Sequence, residues 1–143
     1  MELFGGVIVV ALSLLCWGGQ LISSLSPATA VRLSLMEAED DVEPVYFADI
    51  RGEALWDALA LWPMLVAGVL LIIDNSAWPY FGMVGAGMYI YFAGRGILTR
   101  LFMQRRGFAI GSRQSVSVGL LFLAIWGLMG LAVAVAAVAA LAG

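Results

Sequence analysis

Residues 114–143 read QSVSVGLLFLAIWGLMGLAVAVAAVAALAG and carry no charged side chain. A helix needs about 20 apolar residues to cross the hydrocarbon core of a bilayer, and this stretch exceeds that length. Two other runs, residues 3–31 and 75–94, are equally free of charge. Each of the three runs therefore predicts a helix that spans a membrane.

The composition of the whole chain is also typical of a membrane protein. Of its 143 residues, 63% are apolar and 12% are charged, and the mean hydropathy is +1.01. Soluble domains carry about 25% charged residues. A single domain of this length also leaves too much surface exposed to hide so many apolar side chains. We expect the bilayer to cover the apolar surface that the fold leaves outside.

A fourth span is predicted between Asp57 and Asp74, where 16 residues carry no charge. As a helix this run is about 24 Å long, slightly short for a bilayer, but Ala54, Leu55 and Trp56 extend it, with Asp57 just inside the interface. Pro44 is a candidate start for the helix that leads into this span, and Pro63 predicts a kink within it. The sequence thus predicts one all-α domain, an integral membrane four-helix bundle over residues 1–143, with spans at about 3–25, 54–73, 77–103 and 115–141.

The loops of this bundle differ in charge. The first loop, residues 26–53, is acidic and is predicted to contain a short interfacial helix over residues 27–38, because Ser26-Pro27 is typical of a helix start. The third loop, residues 104–114, is basic. All seven basic residues are Arg, and they lie in or beside these two loops. The positive-inside rule therefore predicts that both loops are cytoplasmic and both termini outside. An Arg-only set of basic residues favours a bacterial protein, and hence the bacterial inner membrane.

The second and third spans are predicted to bring opposite charges together. They are joined by a short turn near residues 76 and 77, so residues equidistant from that turn lie at the same depth. Asp57 is level with Arg95 by this reasoning. Since charges within a membrane usually pair, we predict an Asp57–Arg95 ion pair. The same reasoning places Glu53 level with Arg100, and Asp49 level with Arg105 and Arg106.

Four acidic side chains are clustered in the first loop, at Glu37, Glu39, Asp40 and Asp41. Solvation or pairing with Arg is the principal prediction for them. A divalent-cation site is the alternative, because hard cations bind clustered oxygen atoms. The spacing does not match a calcium-binding loop, which requires a glycine and a distal glutamate.

Polar residues on the first span recur at steps of three and four and therefore share one helical face: Ser13, Cys16, Gln20 and Ser23. Polar groups within a span usually face other helices, so this face predicts a packing seam. The alternative is the lining of a pore or a ligand pocket, in which Gln20 is the strongest candidate. Small residues at similar steps in the third and fourth spans predict close helix contacts, within this chain or with another.

The chain offers little for catalysis. It contains no histidine and a single cysteine, Cys16, which excludes an internal disulfide and a His/Cys metal cluster. We predict no catalytic residue, no bound cofactor or metal and no nucleic-acid partner. The expected function is a non-catalytic accessory, assembly or scaffold subunit, which contacts the bilayer and either itself or a larger membrane protein.

Two other functions stay open. The first is a small oligomeric channel or carrier lined by Ser13, Gln20 and Ser23. The second is a membrane enzyme that acts on a lipid-soluble substrate at the cytoplasmic face, with Asp57, Arg95 and Arg100 at its mouth.

Overall fold

The computed structural model describes residues 2–143, and every regular element within them is a helix. The all-α class predicted from the sequence is confirmed. In chain order, the helices are α1 (Glu2–Leu25), α2 (Pro27–Arg32), α3 (Pro44–Ala60), α4 (Trp62–Ile72), α5 (Trp78–Arg105) and α6 (Arg113–Ala142), with one turn of 3-10 helix at Glu39–Asp41.

Proline determines where several of these helices begin. Pro27, Pro44, Pro63 and Pro79 each lie in the first turn of a helix. The missing N–H of proline has no cost there, because the first N–H groups of a helix have no intrahelical acceptor. At Pro63 the effect is stronger than the predicted kink: α3 ends at Ala60 and α4 begins at Trp62. The region predicted as one span from residue 54 therefore consists of two consecutive helices, of which the first, α3, begins at Pro44 and the second, α4, begins at Trp62.

The helix predicted for the first loop is present but shorter than expected. It ends at Arg32 and not near residue 38. Ser34 has a φ of 56°, in the left-handed region that a continuing α-helix does not use. The chain therefore turns out of α2 at this point and runs on to the acidic turn at Glu39–Asp41.

Three helical stretches in the described part of the chain are long and apolar enough to cross a membrane: Leu3–Leu25, Pro44–Ile72 and Arg113–Ala142. Four were predicted. α5 has 28 residues and is about 42 Å long, so its length suffices. Its tryptophan, tyrosine, glycine and arginine residues make it less apolar than the other three.

The long helices pack in the order α1, α4, α5, α6. α5 lies in the middle, with α6 along one side and α4 along the other, while α1 packs on α3 and α4. The main core between them contains Cys16, Met64 and Tyr89. A smaller apolar cluster forms where the first and third loops meet, from Val42, Tyr46, Ile110 and Val116. We call this end of the molecule the Arg-rich end.

Glycine allows the backbones of neighbouring helices to approach closely. A Cβ atom added at Gly85 of α5 would lie 2.7 Å from the backbone nitrogen of Met64 in α4. A Cβ at Gly6 of α1 would lie 3.1 Å from the carbonyl oxygen of Gly68, also in α4. At both interfaces any larger side chain would push the helices apart, which explains why glycine is required there.

Candidate functional site

Arg95 joins α5 to α3 near the Arg-rich end. Its Nη1 donates to Glu53 Oε1 at 2.8 Å, and its Nη2 donates to Asp49 Oδ1 at 2.5 Å. The two carboxylates are four residues apart, so they lie on one face of α3 and share the guanidinium. This pairing corrects the Asp57–Arg95 ion pair predicted from the sequence: Arg95 binds the carboxylates one and two helical turns before Asp57.

Two physical features account for the correction. The depth argument assumed one continuous helix, whereas α3 ends at Ala60 and α4 begins at Trp62. The arginine side chain is also long and flexible, and such side chains extend towards the end of a span, where water is nearer. Arg95 therefore reaches the outer acids Asp49 and Glu53, and the inner acid Asp57 is left without it.

Asp57 is buried and forms no salt bridge with the residues that the structure describes. Asp57 as a whole is 5% exposed, and its Oδ2 atom has no hydrogen-bond partner. The backbone around it is held in place by α1, because Trp17 Nε1 donates to the carbonyl oxygen of Ala58 at 2.8 Å. A buried carboxylate is normally hydrogen-bonded or paired, so the unsatisfied Oδ2 atom makes Asp57 a candidate functional residue.

Asp57 also lines a cavity of about 210 Å³ between the α3–α4 junction and α5. The cavity is otherwise apolar and aromatic. Its walls are formed by Trp56, Asp57, Ala60, Leu61, Gly87, Met88 and Tyr91. The sequence names Asp57 as a candidate binding residue, and the structure places it in the wall of this cavity, but no sequence signal indicates the aromatic and glycine residues of α5 that complete it.

The polar face of α1 is directed mainly into the protein. Ser13, Cys16 and Ser23 are buried, and Gln20 is half-buried. Ser13 Oγ and Tyr89 OH are both enclosed in the core without a hydrogen-bond partner. At the Arg-rich end, the carbonyl oxygen of Ser23 accepts a hydrogen bond from Arg51 of α3. These positions are typical of a packing seam between α1 and its neighbours.

Arg100, another of the predicted binding residues, lies five residues beyond Arg95 on α5. Its Nη1 donates to the carbonyl oxygen of Gly96 at 3.0 Å, and its guanidinium lies 6.0 Å from the centre of the Tyr46 ring. The arginine thus connects α5 to α3 through a cation–π contact. Its position next to the smaller apolar cluster indicates a role in packing at this end.

The acidic residues of the first loop do not converge. Glu37 accepts a hydrogen bond from the hydroxyl group of Ser115 in α6 and packs against Gly111, while Glu39, Asp40 and Asp41 are exposed. Among the side chains that the structure describes, no three of His, Cys, Asp and Glu lie close enough to share a metal ion. The alternative prediction of a divalent-cation site at these four carboxylates is therefore not supported by the geometry.

A larger, entirely apolar cleft of about 450 Å³ lies between α1, α4 and α6. Small residues form much of its surface, including Gly5 and Gly68 on one side and Ala132 and Ala136 on the other. At one end of the cleft α1 and α6 meet, where Trp126 Nε1 donates to the carbonyl oxygen of Leu12 at 3.1 Å. Away from this contact, the two helices leave the cleft open.

Two parts of the molecule are thus candidate functional sites, the cavity at Asp57 and the cleft between α1 and α6. The cavity contains one carboxylate among aromatic and other apolar side chains. The cleft is a concave surface formed by apolar residues. Neither a protein-family model, nor a curated protein, nor a solved structure matches the chain, so the two sites are defined by their geometry alone.

Proposed function

We propose that the protein is a four-span accessory or assembly subunit of the bacterial inner membrane, which binds a transmembrane helix of a larger partner. The fourth span in this proposal is α5. It lies between α4 and α6, which both belong to stretches apolar enough to cross a membrane. A helix of 28 residues enclosed by two spanning helices shares their environment.

The orientation proposed for the bundle has the Arg-rich end in the cytoplasm. The backbone N–H of Glu43 in the first loop donates to the carbonyl oxygen of Ala109 in the third loop at 2.7 Å, so the two loops lie at the same end. All seven arginine residues belong to these loops or to the helices beside them. The positive-inside rule then supports cytoplasmic loops and external termini.

The observation that carries the accessory function is the open cleft between α1 and α6. Helices in a bilayer associate through close packing, because the lipid chains are as apolar as the helix surface. Small residues permit that packing, and Gly5, Ala132 and Ala136 present them on both sides of the cleft. A partner helix seated there would complete the contact that α1 and α6 make only near Leu12 and Trp126.

The experiment is extraction of the tagged protein from its native membrane in a mild detergent, followed by native mass spectrometry. Ala132→Phe fills the cleft and is expected to release the partner. Val135→Phe adds similar bulk to an exposed position of α6 outside the cleft and is expected to retain it. If the wild type is a homodimer and Ala132→Phe is a monomer, the partner in the cleft is a second copy of this chain and not a larger protein. A monomer in the wild-type sample would reject the proposal.

A further inference from the structure

The cavity at Asp57 combines two features that are rarely placed together in an apolar protein. One is a carboxylate that the fold has removed from solvent, and the other is a set of aromatic and sulfur-containing walls. Trp56, Met88 and Tyr91 provide these walls, and Gly87 forms part of the surface between them. The cavity of about 210 Å³ is large enough for a small organic group.

Asp57 forms no salt bridge within the described chain. The nearest arginine on α5, Arg95, has both of its terminal nitrogens engaged by Asp49 and Glu53. Asp57 is 5% exposed, and Oδ2 has no hydrogen-bond donor. An ionised carboxylate in an apolar environment is costly unless a counter-charge is present. The geometry therefore favours a cationic occupant and disfavours an anionic one.

The walls select the kind of cation. A hard metal ion binds six or more oxygen ligands, and the cavity offers the carboxylate of a single acid. Aromatic rings, by contrast, attract organic ammonium groups through their electron-rich faces, and the attraction is strongest when water is excluded. Trp56 and Tyr91 lie beside Asp57 with rings of this kind, and the Met88 side chain adds a polarisable surface.

The position of the cavity adds the second property of the ligand. Trp56 is 64% exposed and Tyr91 is 66% exposed, so the mouth of the cavity opens on the outer surface of the bundle between α3 and α5. Asp57 belongs to the candidate span Pro44–Ile72, which places this mouth towards lipid. A ligand that enters from there must be soluble in the bilayer.

We propose that the cavity binds the cationic head of a lipid-soluble organic ammonium, with Asp57 as the counter-ion, Trp56 and Tyr91 against the head, and an alkyl chain extending into the bilayer. This site does not require the partner helix, because the cleft between α1 and α6 is lined by other residues. The two proposals therefore fail independently.

Binding of dodecyltrimethylammonium to the purified full-length protein in dodecyl maltoside micelles tests the proposal. Equilibrium dialysis of the labelled probe measures saturable binding. We expect Asp57→Asn to weaken the affinity by about tenfold or more, because it removes the charge from a charge-assisted contact. Asp74→Asn removes the same charge from an exposed turn outside the cavity and is expected to bind like the wild type.

A steric pair of variants keeps the test independent of the carboxylate. A Cβ atom at Gly87 meets no atom within 4 Å, and the same holds at Gly94 on the same helix, so the first carbon of a new side chain has room at both positions. Gly87→Leu fills the cavity and should abolish saturable binding, whereas Gly94→Leu should leave it unchanged. Wild-type binding that does not saturate would overturn the proposal. Binding by both Asp57→Asn and Gly87→Leu that equals that of the wild type would also overturn it.

Discussion

Arg95 of α5 donates to Glu53 of α3 across 2.8 Å, although the hairpin between α4 and α5 leads one to expect Asp57 as its partner. The contact is well protected, since the side chain of Glu53 is 9% exposed, against 33% for that of Arg95. Together with the bond to Asp49, it fixes the position of α5 against α3 at the Arg-rich end.

Arg95→Ala is expected to reduce the free energy of unfolding by about 1–3 kcal/mol, less than for a fully buried pair, because water reaches the arginine. The loss arises mainly from Glu53, whose carboxylate would stay enclosed without its counter-charge. Denaturant titration in micelles, followed by circular dichroism, measures the change. Arg106→Ala removes the same charge from an exposed position at the end of α5. An equal loss in that variant would contradict a specific role for Arg95.

Sequence patterns predicted the helical parts well, because each long helix is encoded locally. The charge-free runs and the four prolines indicate where α1, α4, α5 and α6 lie, and no knowledge of neighbours is needed for that. The break at Leu61 was foreseen only as a kink. Pro63 has no N–H group and therefore removes one hydrogen bond to the preceding turn. Whether the helix then kinks or ends depends on how its neighbours pack around that turn.

The site was harder to predict, because its members come from separate helices. Asp57 could be selected from its sequence position, but its proximity to Tyr91 depends on how α3 and α5 lie against each other, which neither helix encodes on its own. The apolar cluster of Val42, Tyr46, Ile110 and Val116 also had no sequence signal. Each segment contributes only one or two residues to it, too few for a periodic pattern.

Gly85→Ala tests the close contact between α4 and α5. The added Cβ atom would lie 2.7 Å from the backbone nitrogen of Met64, and backbone cannot move aside as a flexible side chain can. We expect the free energy of unfolding to fall by about 1–3 kcal/mol, the usual cost of overpacking. Thermal unfolding in detergent is the measurement. Gly94→Ala is the matched control, because its Cβ meets nothing within 4 Å; a loss of similar size in it would mean that helix propensity and not packing is responsible.

The number of spans and their orientation are tested by cysteine labelling. Cys16 is 2% exposed, so the native thiol is expected to react little with a membrane-impermeant maleimide. Ser76→Cys, in the exposed turn between α4 and α5, should be labelled in intact spheroplasts. Gln104→Cys, exposed near the end of α5, should be labelled only after permeabilisation. Labelling of both thiols in intact spheroplasts would mean that α5 does not cross the membrane, and the opposite pattern would reverse the orientation.

The unpaired carboxylate of Asp57 predicts a conflict between stability and binding. In the absence of ligand, Asp57→Asn is expected to raise the free energy of unfolding by about 1–2 kcal/mol, because it replaces a buried carboxyl group whose Oδ2 atom has no hydrogen-bond partner. Asp74→Asn should change it by less than about 0.5 kcal/mol, as expected for an exposed residue. Asn also tolerates the left-handed backbone of residue 74, whose φ is 54°. Thermal unfolding of the three proteins in the same detergent gives the comparison.

Addition of dodecyltrimethylammonium should reverse that order. A ligand that binds only the folded state raises the free energy of unfolding by RT ln(1 + L/Kd), where L is the concentration of free ligand, so the wild type and Asp74→Asn should gain more stability than Asp57→Asn, whose affinity is expected to be lower. Because the probe is also a detergent, the comparison of Asp57→Asn with Asp74→Asn in the same micelles separates binding at the cavity from the general effect of the probe on the micelle. Two results together would contradict this role: Asp57→Asn is less stable than the wild type without the probe, and the probe stabilises both proteins equally. Asp57 would then be a structural residue whose partner is supplied by the fold, and not the counter-ion of a bound ammonium.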